Sequence, residues 1–446
     1  MKKLIQIFTY LFFIIFFVII LFTENKLSIL LVIIPFVILY KYLDKISDKY
    51  FIFILFFLAL LIRIVTSFYL KVPIMDDFKT MYDASQMFVD GNFSFTKDIY
   101  FTNFSYQLGF VFIQGMLLKL VHSLFFLKIV NSIVTSFIVV FIFLISRNLS
   151  SSRSSKIVSL LYTFYFFPIY LNSVLTNQHL QALLILMIIY LITRKDQGKI
   201  IDHGIVKSLL IGLLLSMSHI VRSEAIVVIF SFLMMIIFSI NKNNYKKIIQ
   251  SFGITMIVFL IVILGVNSFL KVSNLSENGL KNNVALWKFY VGLNVLENGM
   301  YNEKDQNLFF SKNKEEQKEL LVKRIQDDYL QFPVLFLKKE VITFTKSQFN
   351  IVIDNKINPN LLKFILYFSN GILVLILFLF LIGIFPSKSL FDDKILYLFI
   401  LLFVYFGVYL FIEVSPRYGY NLQMILFILS SLGIDRMIHW RKDKET

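Results

Sequence analysis

The sequence predicts an all-α polytopic membrane protein with about twelve transmembrane helices. Hydrophobic residues make up 58% of the 446 residues and charged residues only 16%, against about 45–50% and about 25% in soluble globular proteins. The mean hydropathy is +0.76. The apolar residues occur in runs of about 14 to 23, the length scale of bilayer-spanning helices. Together these observations exclude a soluble enzyme, a disordered chain and a disulfide scaffold.

The apolar runs place the predicted spans and divide the chain into four parts. The predicted spans are residues 4–22, 28–40, 51–70, 129–146, 157–171, 180–193, 205–220, 225–240, 248–270, 361–385, 395–412 and 418–435. Several are shorter than the ~20 residues that a perpendicular helix needs, so flanking residues must complete them. The four parts are two extra N-terminal helices (1–50), a transmembrane core (51–270), a polar loop (271–360) and C-terminal helices (361–446). No small-residue cleavage site follows the first apolar run, which predicts a retained anchor.

The distribution of Lys and Arg sets the expected topology. Basic residues cluster at 41–49, 147–156, 194–199, 242–247, 388–394 and 436–444. All these clusters lie on one side of the membrane if the N-terminus is cytoplasmic, as cytoplasmic loops require. We therefore expect a multi-pass cell-membrane protein with both termini in the cytoplasm, and a bacterial plasma membrane as its default location. The net charge of +16 then indicates anionic lipid headgroups, and not nucleic acid, as the partner.

Two further stretches are apolar, but neither is predicted to cross the membrane. Polar residues interrupt the stretch 108–127. If it crossed the membrane, every later basic cluster would lie on the outer side. We therefore expect a helix that lies on the outer face or dips into it. The stretch 333–352 contains Lys338, Lys339, Glu340 and Lys346. Each charge at a helix centre costs about 2.5–3.5 kcal/mol, which favours an interfacial amphipathic helix. Two large loops, 71–128 and 271–360, then face outward with short amphipathic helices.

The first outer loop begins with two adjacent carboxylates, Asp76 and Asp77, about six residues beyond a span. Pro73 ends the preceding helix, so the two acids are expected near the membrane surface. They are interpreted either as solvated loop acids or a helix N-cap, or as a general base at the lipid–water boundary. Apolar residues at three-to-four spacing predict a surface helix after them, ended by Gly91.

Other charged residues fall inside spans or in short outer turns. Arg63 lies within a predicted span, where its expected partner is Asp76, Asp77 or a lipid phosphate, unless it simply extends to the interface. The outer turns carry Asn177-Gln178-His179, Arg222-Ser223-Glu224 and Glu413-Val414-Ser415-Pro416-Arg417-Tyr418. Each turn alone is consistent with a structural role, but together they place acids, cations and amides on one side of the membrane.

Several classes of chemistry are excluded by the sequence. It contains no cysteine and five histidines, with no His-x-x-x-His pair, so a zinc site is not expected. It also lacks a phosphate-binding Walker loop, a dinucleotide glycine fingerprint and a Gly-x-Ser-x-Gly elbow. Nucleotide-driven chemistry is therefore not expected. The late outer loop instead crowds aromatic residues around a polar Gly292-Leu293-Asn294 turn, which is typical either of sugar-binding surfaces or of packing against the bilayer.

Over residues 51–436 the chain resembles the GT-C superfamily of membrane glycosyltransferases. The closest resemblance is to the family 39-like branch, which includes protein mannosyltransferases and aminoarabinose transferases. Four features in the same order carry the resemblance: Arg63 with the Pro73–Phe78 segment, Arg222 to Glu224, the Gly292 to Asp305 pattern, and the closing Glu413, Arg417 and Tyr418.

The resemblance implies a mechanism and roles for individual residues. It implies a polyprenyl-phosphate sugar as donor and an acid of the first loop that deprotonates an acceptor hydroxyl, with inversion at the anomeric carbon. The implied base is Asp77, with Asp76 as second choice. Residues implied to bind the donor phosphate are Arg63, Arg222, Lys338, Lys339, Lys346 and Arg417. Residues implied to bind substrate are Tyr82, His179, Glu224, Asn294, Asp305, Glu413 and Tyr418.

The resemblance leaves the metal, the acceptor and some competing functions open. Many relatives carry an acid, which can serve as a metal ligand, where this chain has Asn177-Gln178-His179; a required divalent metal or other cofactor is therefore not expected. The acceptor is a cell-envelope glycan, a lipid or a protein. The competing functions are a lipid-linked-sugar flippase or other transporter, a polysaccharide polymerase or ligase, and a scaffold without catalytic activity. The sequence shows no internal repeat of the kind that many transporters have, which disfavours a transporter.

Overall fold

The computed structural model describes residues 42–70, 72–194, 204–239, 245–344, 358–385 and 392–445, with a few positions among the first 41. Within these residues the chain is helical, and its only strand-like pairing is a single bridge between Phe104 and Asn282. The chain is a multi-pass membrane protein. Seven described helices are long and apolar enough to cross a bilayer, and Gln178–Thr193 and Ala225–Phe238 are shorter apolar helices.

The helices follow one another in a single series. In chain order they are α1 (Asp48–Leu70), α2 (Asp76–Val89), α3 (Ile99–Asn103), α4 (Leu108–Leu120), α5 (Leu124–Leu149), α6 (Ser152–Phe164), α7 (Phe166–Asn172), α8 (Gln178–Thr193), α9 (Gly204–Val221), α10 (Ala225–Ser239), α11 (Tyr245–Val272), α12 (Ala285–Gly292), α13 (Glu303–Phe310), α14 (Lys314–Asp328), α15 (Phe332–Phe344), α16 (Pro359–Ile384), α17 (Asp393–Phe411) and α18 (Gly419–Glu445). Nine of the predicted spans from 51–70 onward coincide with one of these helices. Most of the predicted spans 4–22 and 28–40 lies outside the described residues.

The predicted span 157–171 is divided into two helices, α6 and α7. In a continuous helix, Pro168 could not donate to the carbonyl of Phe164, and its ring would clash with that carbonyl. The chain instead becomes extended at Tyr165 (φ −70°, ψ 115°) and restarts as α7. The break brings Asn172 into the bundle, where its Nδ2 donates to Ser67 Oγ at 2.7 Å and Ser132 Oγ at 2.8 Å.

Small residues allow close contact between the C-terminal spans α16 and α18. A Cβ atom at Gly433 would lie 1.8 Å from the carbonyl oxygen of Leu379, and one at Gly383 would lie 2.9 Å from the Gly433 nitrogen. Close backbone approach through glycine is a common means of helix association in membranes. By contrast, only 11% of the most apolar segment of α11 is buried, which is consistent with a helix that faces lipid.

The first outer loop forms a small helical layer. The stretch 108–127 contains α4, whose 13 residues extend only about 20 Å, too short to cross the membrane. Gln114, one of the polar residues that interrupt this stretch, accepts a hydrogen bond from Ser85 of α2 at 2.9 Å. Gly115 lies against the Phe88 ring of α2. The two helices therefore pack as a pair.

The second outer loop contains α12 to α15. The sequence predicts a charged helix over about 312–330, and α14 occupies 314–328 with no buried residue and a capping box at Asn313. The interfacial arrangement expected for 333–352 is wrong for two of its charged residues. Lys339 is 1% exposed and Glu340 is 2% exposed, because α15 packs these side chains inward.

Candidate active site

The two outer loops and the turn before α18 line a half-open cavity of about 1600 Å³. Four of the residues predicted to form the site line it: Asp76, Asp77, Glu413 and Arg417. They come from opposite ends of the chain. The fold therefore assembles acids and cations from the first loop and the C-terminal turn in one cavity.

Asp77 lies in the first turn of α2 and forms an ion pair with Arg417. Arg417 Nη2 is 3.2 Å from Asp77 Oδ2. The guanidinium carbon lies 5.0 Å from the Phe78 ring centroid and 5.6 Å from that of Tyr418, within the range of cation–π attraction. The Asp77 side chain remains 43% exposed. Arg417 is thus fixed by two aromatic rings, while its anionic partner stays accessible from the cavity.

A phenol faces the same carboxylate. Tyr100 of α3 lines the cavity, and burial, with a further contribution from the neighbouring Asp77, raises its pKa above the ordinary value. Its hydroxyl therefore stays protonated at neutral pH and can donate to Asp77. Tyr106, which also lines the cavity, has its pKa raised by burial as well. Nothing in the sequence pattern distinguishes these tyrosines from the other 20.

Asp76 adopts an unusual backbone conformation next to the ion pair. Its φ is +51°, in the left-handed region that costs most non-glycine residues energy and that Asp tolerates better than most. Its side chain is exposed and lines the cavity. Backbone strain of this kind concentrates at functional sites, and here it lies at the first residue of α2.

A second ion pair lies in the cavity wall and was not predicted as part of the site. Lys288 of α12 pairs with Glu413 through its Nζ, and the Glu413 backbone nitrogen donates to the Lys288 carbonyl at 2.8 Å. Burial alone would lower the pKa of Lys288, but Tyr418 and Glu413 outweigh burial and raise it. Lys288 therefore remains a cation. The sequence offered one signal, its position between the aromatic residues Trp287 and Phe289.

Close backbone contacts fix the Gly292 to Asp305 segment to the C-terminal turn. A Cβ atom at Gly292 would lie 2.3 Å from the Ile412 carbonyl carbon, which explains the need for glycine there. Gly299 has φ +74°, and its carbonyl accepts from the Val414 nitrogen at 2.9 Å. These contacts hold Lys288 and Glu413 together.

Lys339 is a structural residue in this arrangement. Its Nζ donates to the carbonyls of Gly292, Leu410 and Ile412, each at 2.7 Å. These three contacts use all the N–H groups of the Lys339 ammonium, and Lys339 does not line the cavity; its predicted role in phosphate binding stays a prediction. Lys338 is exposed and does not line the cavity. Lys346 lies outside the described residues.

We expect Lys339→Met to destabilise the protein by about 3 kcal/mol or more, because three buried carbonyls lose their donor. The thermal midpoint of the purified protein in detergent should fall. The matched control is Lys338→Met, one residue away and exposed, which should leave the midpoint unchanged. Equal midpoints for the two variants would contradict the structural role of Lys339.

Arg222 and Glu224 lie behind the cavity wall and do not line it. Arg222 pairs with Glu224 through Nε, and its Nη1 donates to Asn177 Oδ1 at 3.2 Å. Asn177 in turn donates to Gln107, a cavity residue, at 2.9 Å. Glu224 accepts from Asn421 at 2.9 Å. Arg222 and Glu224 therefore hold the cavity wall in place. The structure supports this internal role, and not the direct contact with donor or substrate that the resemblance implied.

Asp305 and Asn294 also form an internal scaffold. Asp305 accepts two hydrogen bonds of 2.9 Å from Arg324 and one of 2.7 Å from Asn294. Burial would raise the pKa of Asp305, but the hydrogen bonds from Arg324 and Asn294 outweigh it and lower the pKa. This pairing ties α13 to α14 and to the Gly292-Leu293-Asn294 turn after α12. Asp305 and Asn294 do not line the cavity, and their predicted substrate contacts stay a prediction.

The remaining predicted residues lie away from the cavity. Arg63 is fully buried in the bundle and donates to the Ala59 carbonyl at 3.2 Å. His179 is buried and its Nδ1 lies 2.8 Å from the Tyr420 hydroxyl. Tyr82 packs beside the cluster of Leu118, Leu127 and Leu175. Tyr418 is 7% exposed, and its ring stacks on that of Tyr409 with 5.9 Å between centroids. It also forms the cation–π contact with Arg417.

A metal site is not apparent in the part of the chain that the structure describes. No group of three or more His, Cys, Asp or Glu side chains there could hold a metal ion. Asp76, Asp77 and Glu413 all line the cavity, but two of the three are paired with cations.

Comparison with known proteins identifies the fold. No known family model matches the sequence, and no curated protein sequence is similar to it. The structure resembles the archaeal oligosaccharyltransferase AglB from Archaeoglobus fulgidus, a GT-C glycosyltransferase. It matches the complex with an inhibitory peptide and a dolichol-phosphate (TM-score 0.50, 11% identity, 89% of this chain and 52% of that one).

Two further structures of the same archaeal enzyme give similar values. The apo form matches with a TM-score of 0.51 at 11% identity, over 89% of this chain and 52% of that one. The form tethered to an acceptor peptide with an NVT sequon matches with 0.51 at 11% identity, over 87% and 49%. The chain spans about half the length of these structures. The predicted GT-C resemblance is therefore confirmed as a likeness of fold.

Proposed function

We propose that this protein is a membrane glycosyltransferase that moves a sugar from a polyprenyl-phosphate donor to an acceptor on the outer face of the membrane, with inversion. The observation that carries the proposal is the Asp77–Arg417 pair in a half-open cavity next to the membrane-spanning helices. One partner can accept a proton and the other can neutralise a phosphate. The GT-C fold and the dolichol-phosphate bound by the archaeal neighbour support a lipid-linked donor.

In the proposed reaction Asp77 takes the proton of an acceptor hydroxyl. The acceptor oxygen forms a bond to the anomeric carbon, and the bond from that carbon to the phosphate oxygen breaks on the opposite side. The electron pair leaves with polyprenyl phosphate. A general base of this type typically contributes about 10²–10⁴-fold to the rate. Asp77 suits the task because its carboxylate is accessible and is oriented by Arg417.

Negative charge that builds up on the leaving phosphate needs fixed cations. Arg417 and Lys288 line the cavity, and each already has an acidic partner that keeps it in place. Charges held in advance in a partly dry site stabilise a transition state far more than mobile charges in water. We assign the phosphate to these two residues in place of the larger set that the resemblance implied.

The donor class can be tested with the purified full-length chain in nanodiscs. We expect label to reach an acceptor from a radiolabelled polyprenyl-phosphate hexose, with release of polyprenyl phosphate, and not from a nucleotide hexose. The physical reason is that Arg417 and Lys288 lie beside membrane-spanning helices that can hold a polyprenyl chain. Transfer from the nucleotide hexose alone would contradict the proposal, as would movement of the intact lipid-linked sugar across the membrane without release of its phosphate.

A further inference from the structure

One part of the cavity wall is not used by the proposed transfer step. We call the cavity-lining residues between Tyr301 and Gln317 the outer wall; it includes the end of α13 and the start of α14. It contributes four amide side chains, from Gln306, Asn307, Asn313 and Gln317. No carboxylate of this segment lines the cavity. Three of the four amides use one atom inside the protein: Gln306 Oε1 accepts from Tyr301, Asn313 Oδ1 accepts from the Glu315 and Glu316 nitrogens, and Gln317 Nε2 donates to the Phe309 and Lys312 carbonyls. The other atom of each of these amides, and the Asn307 amide, form no such side-chain hydrogen bond within the described residues. Amides offer both donors and acceptors, which suits a ligand rich in hydroxyl groups.

Aromatic rings lie next to these amides. The Trp287 ring is 5.2 Å from Phe310 and 6.5 Å from Tyr301 between ring centroids. Trp287 itself is 3% exposed and Tyr301 is 53% exposed, so the cluster has a fixed base and an accessible edge. Aromatic rings with nearby polar groups are typical of ligand pockets, and the C–H face of a sugar ring packs well on such a surface.

The charged residues of the outer wall that line the cavity are both lysines, Lys312 and Lys314. Lys312 lies 3.5 Å from Glu316, and both side chains are at least 40% exposed, where such a pair contributes little. The three lining carboxylates, Asp76, Asp77 and Glu413, belong to other parts of the wall. A surface lined locally by one sign of charge attracts ligands of the opposite sign. The two lysines therefore favour an anionic ligand over a neutral one.

We propose that the outer wall binds the acceptor and that this acceptor is an anionic glycan chain. That the bound glycan is the acceptor rests on the proposed transferase function, whereas its binding to the outer wall does not. The cavity volume of about 1600 Å³ exceeds the 300–1,000 Å³ typical of small-molecule sites and accommodates several sugar units. An anionic peptide is the competing ligand, and the binding test below includes one.

Intrinsic fluorescence provides a direct binding test in the whole protein. The sequence contains two tryptophans, Trp287 and Trp440, so Trp440→Phe leaves Trp287 as the single reporter. The variant in nanodiscs is titrated with hexagalacturonate (an anionic glycan), maltohexaose (a neutral glycan) and hexaglutamate (an anionic peptide). We expect hexagalacturonate to change the Trp287 emission at the lowest concentration, maltohexaose at a higher one, and hexaglutamate not at all.

The lysines can be tested in the same background. Lys312→Gln combined with Lys314→Gln should weaken hexagalacturonate binding by about tenfold and leave maltohexaose binding unchanged. The matched control is Lys318→Gln with Lys323→Gln, which removes the same charge from exposed positions of α14 that do not line the cavity. The control should bind both glycans as the parent does.

Three results would overturn the proposal. They are binding of hexaglutamate as tight as that of hexagalacturonate, an equal loss in the control and the test pair, and no response to either glycan. The outcome is separable from that of the proposed function. If the donor test fails while glycan binding and its lysine dependence hold, only the transferase function is wrong. If transfer is observed without glycan binding, only this inference is wrong.

Discussion

Replacement of Asp77 by asparagine is expected to reduce sugar transfer by about 10²–10⁴-fold, the usual contribution of a general base. Asparagine keeps the shape of the side chain and can still accept a hydrogen bond from Arg417, which lies 3.2 Å from the Asp77 carboxylate in the wild type. It cannot take the proton of the acceptor hydroxyl. The loss should therefore appear in kcat, while the thermal midpoint and donor affinity stay close to those of the wild type.

Two other aspartates of the same helix separate the base from general effects of charge. Asp83→Asn removes an exposed acid that pairs with Lys79 and does not line the cavity, so its rate should equal that of the wild type. Asp76→Asn should have a smaller effect than Asp77→Asn, because Asp77 is oriented by Arg417, whereas Asp76 forms no ion pair with another residue that the structure describes. If instead Asp76→Asn abolishes transfer and Asp77→Asn does not, the choice of acid is wrong and the proposed reaction remains.

Replacement of Arg417 by glutamine is expected to reduce transfer by about 10²–10³-fold, the usual cost of removing one fixed group that stabilises transition-state charge. The guanidinium neutralises the leaving phosphate and also orients Asp77. Arg417→Lys should recover only part of the rate, because an ammonium lacks the planar fork that contacts two groups at once. Both rate constants can be measured with labelled donor under single-turnover conditions.

The control for Arg417 is an arginine with a similar ion pair elsewhere. Arg147 pairs with Asp48 at 2.9 Å and does not line the cavity, so Arg147→Gln should leave the rate unchanged. A melting curve for each variant shows whether folding is affected, since Arg417 packs between Phe78 and Tyr418. An Arg417→Gln protein that is folded and fully active would remove Arg417 from the mechanism.

The sequence predicted the helices well because hydrophobicity and length are local properties. Nine predicted spans from 51–70 onward each coincide with one helix of the structure, eight of them to within about five residues at both ends, while the helix of the last span continues to Glu445. The charged helix near 312–330 is found at 314–328. The break at Tyr165 was missed, although Pro168 was its signal. The inward orientation of Lys339 and Glu340 was missed because it depends on Gly292 and Ile412, which are distant in sequence and offer carbonyl partners only in the folded protein.

The candidate site was predicted in part, for a similar reason. Asp76, Asp77, Glu413 and Arg417 were identified because charge is rare in this chain and they lie just outside spans. Lys288 was missed because its one local signal, two aromatic neighbours, does not indicate a site, whereas its pairing with Glu413 appears only in the folded protein. The resemblance assigned Arg63 and Arg222 to the donor phosphate and Asp305 to substrate, and the structure shows each of them in contacts inside the protein.

The most direct test of the central proposal is a count of products in a single turnover. Purified wild-type protein in nanodiscs receives a polyprenyl-phosphate hexose labelled in both the sugar and the phosphate, together with an anionic glycan acceptor. We expect one polyprenyl phosphate released for each sugar transferred, with both products lost together in Asp77→Asn. Release or movement of the sugar that is unchanged in Asp77→Asn would contradict the proposal that this cavity catalyses transfer with Asp77 as the base.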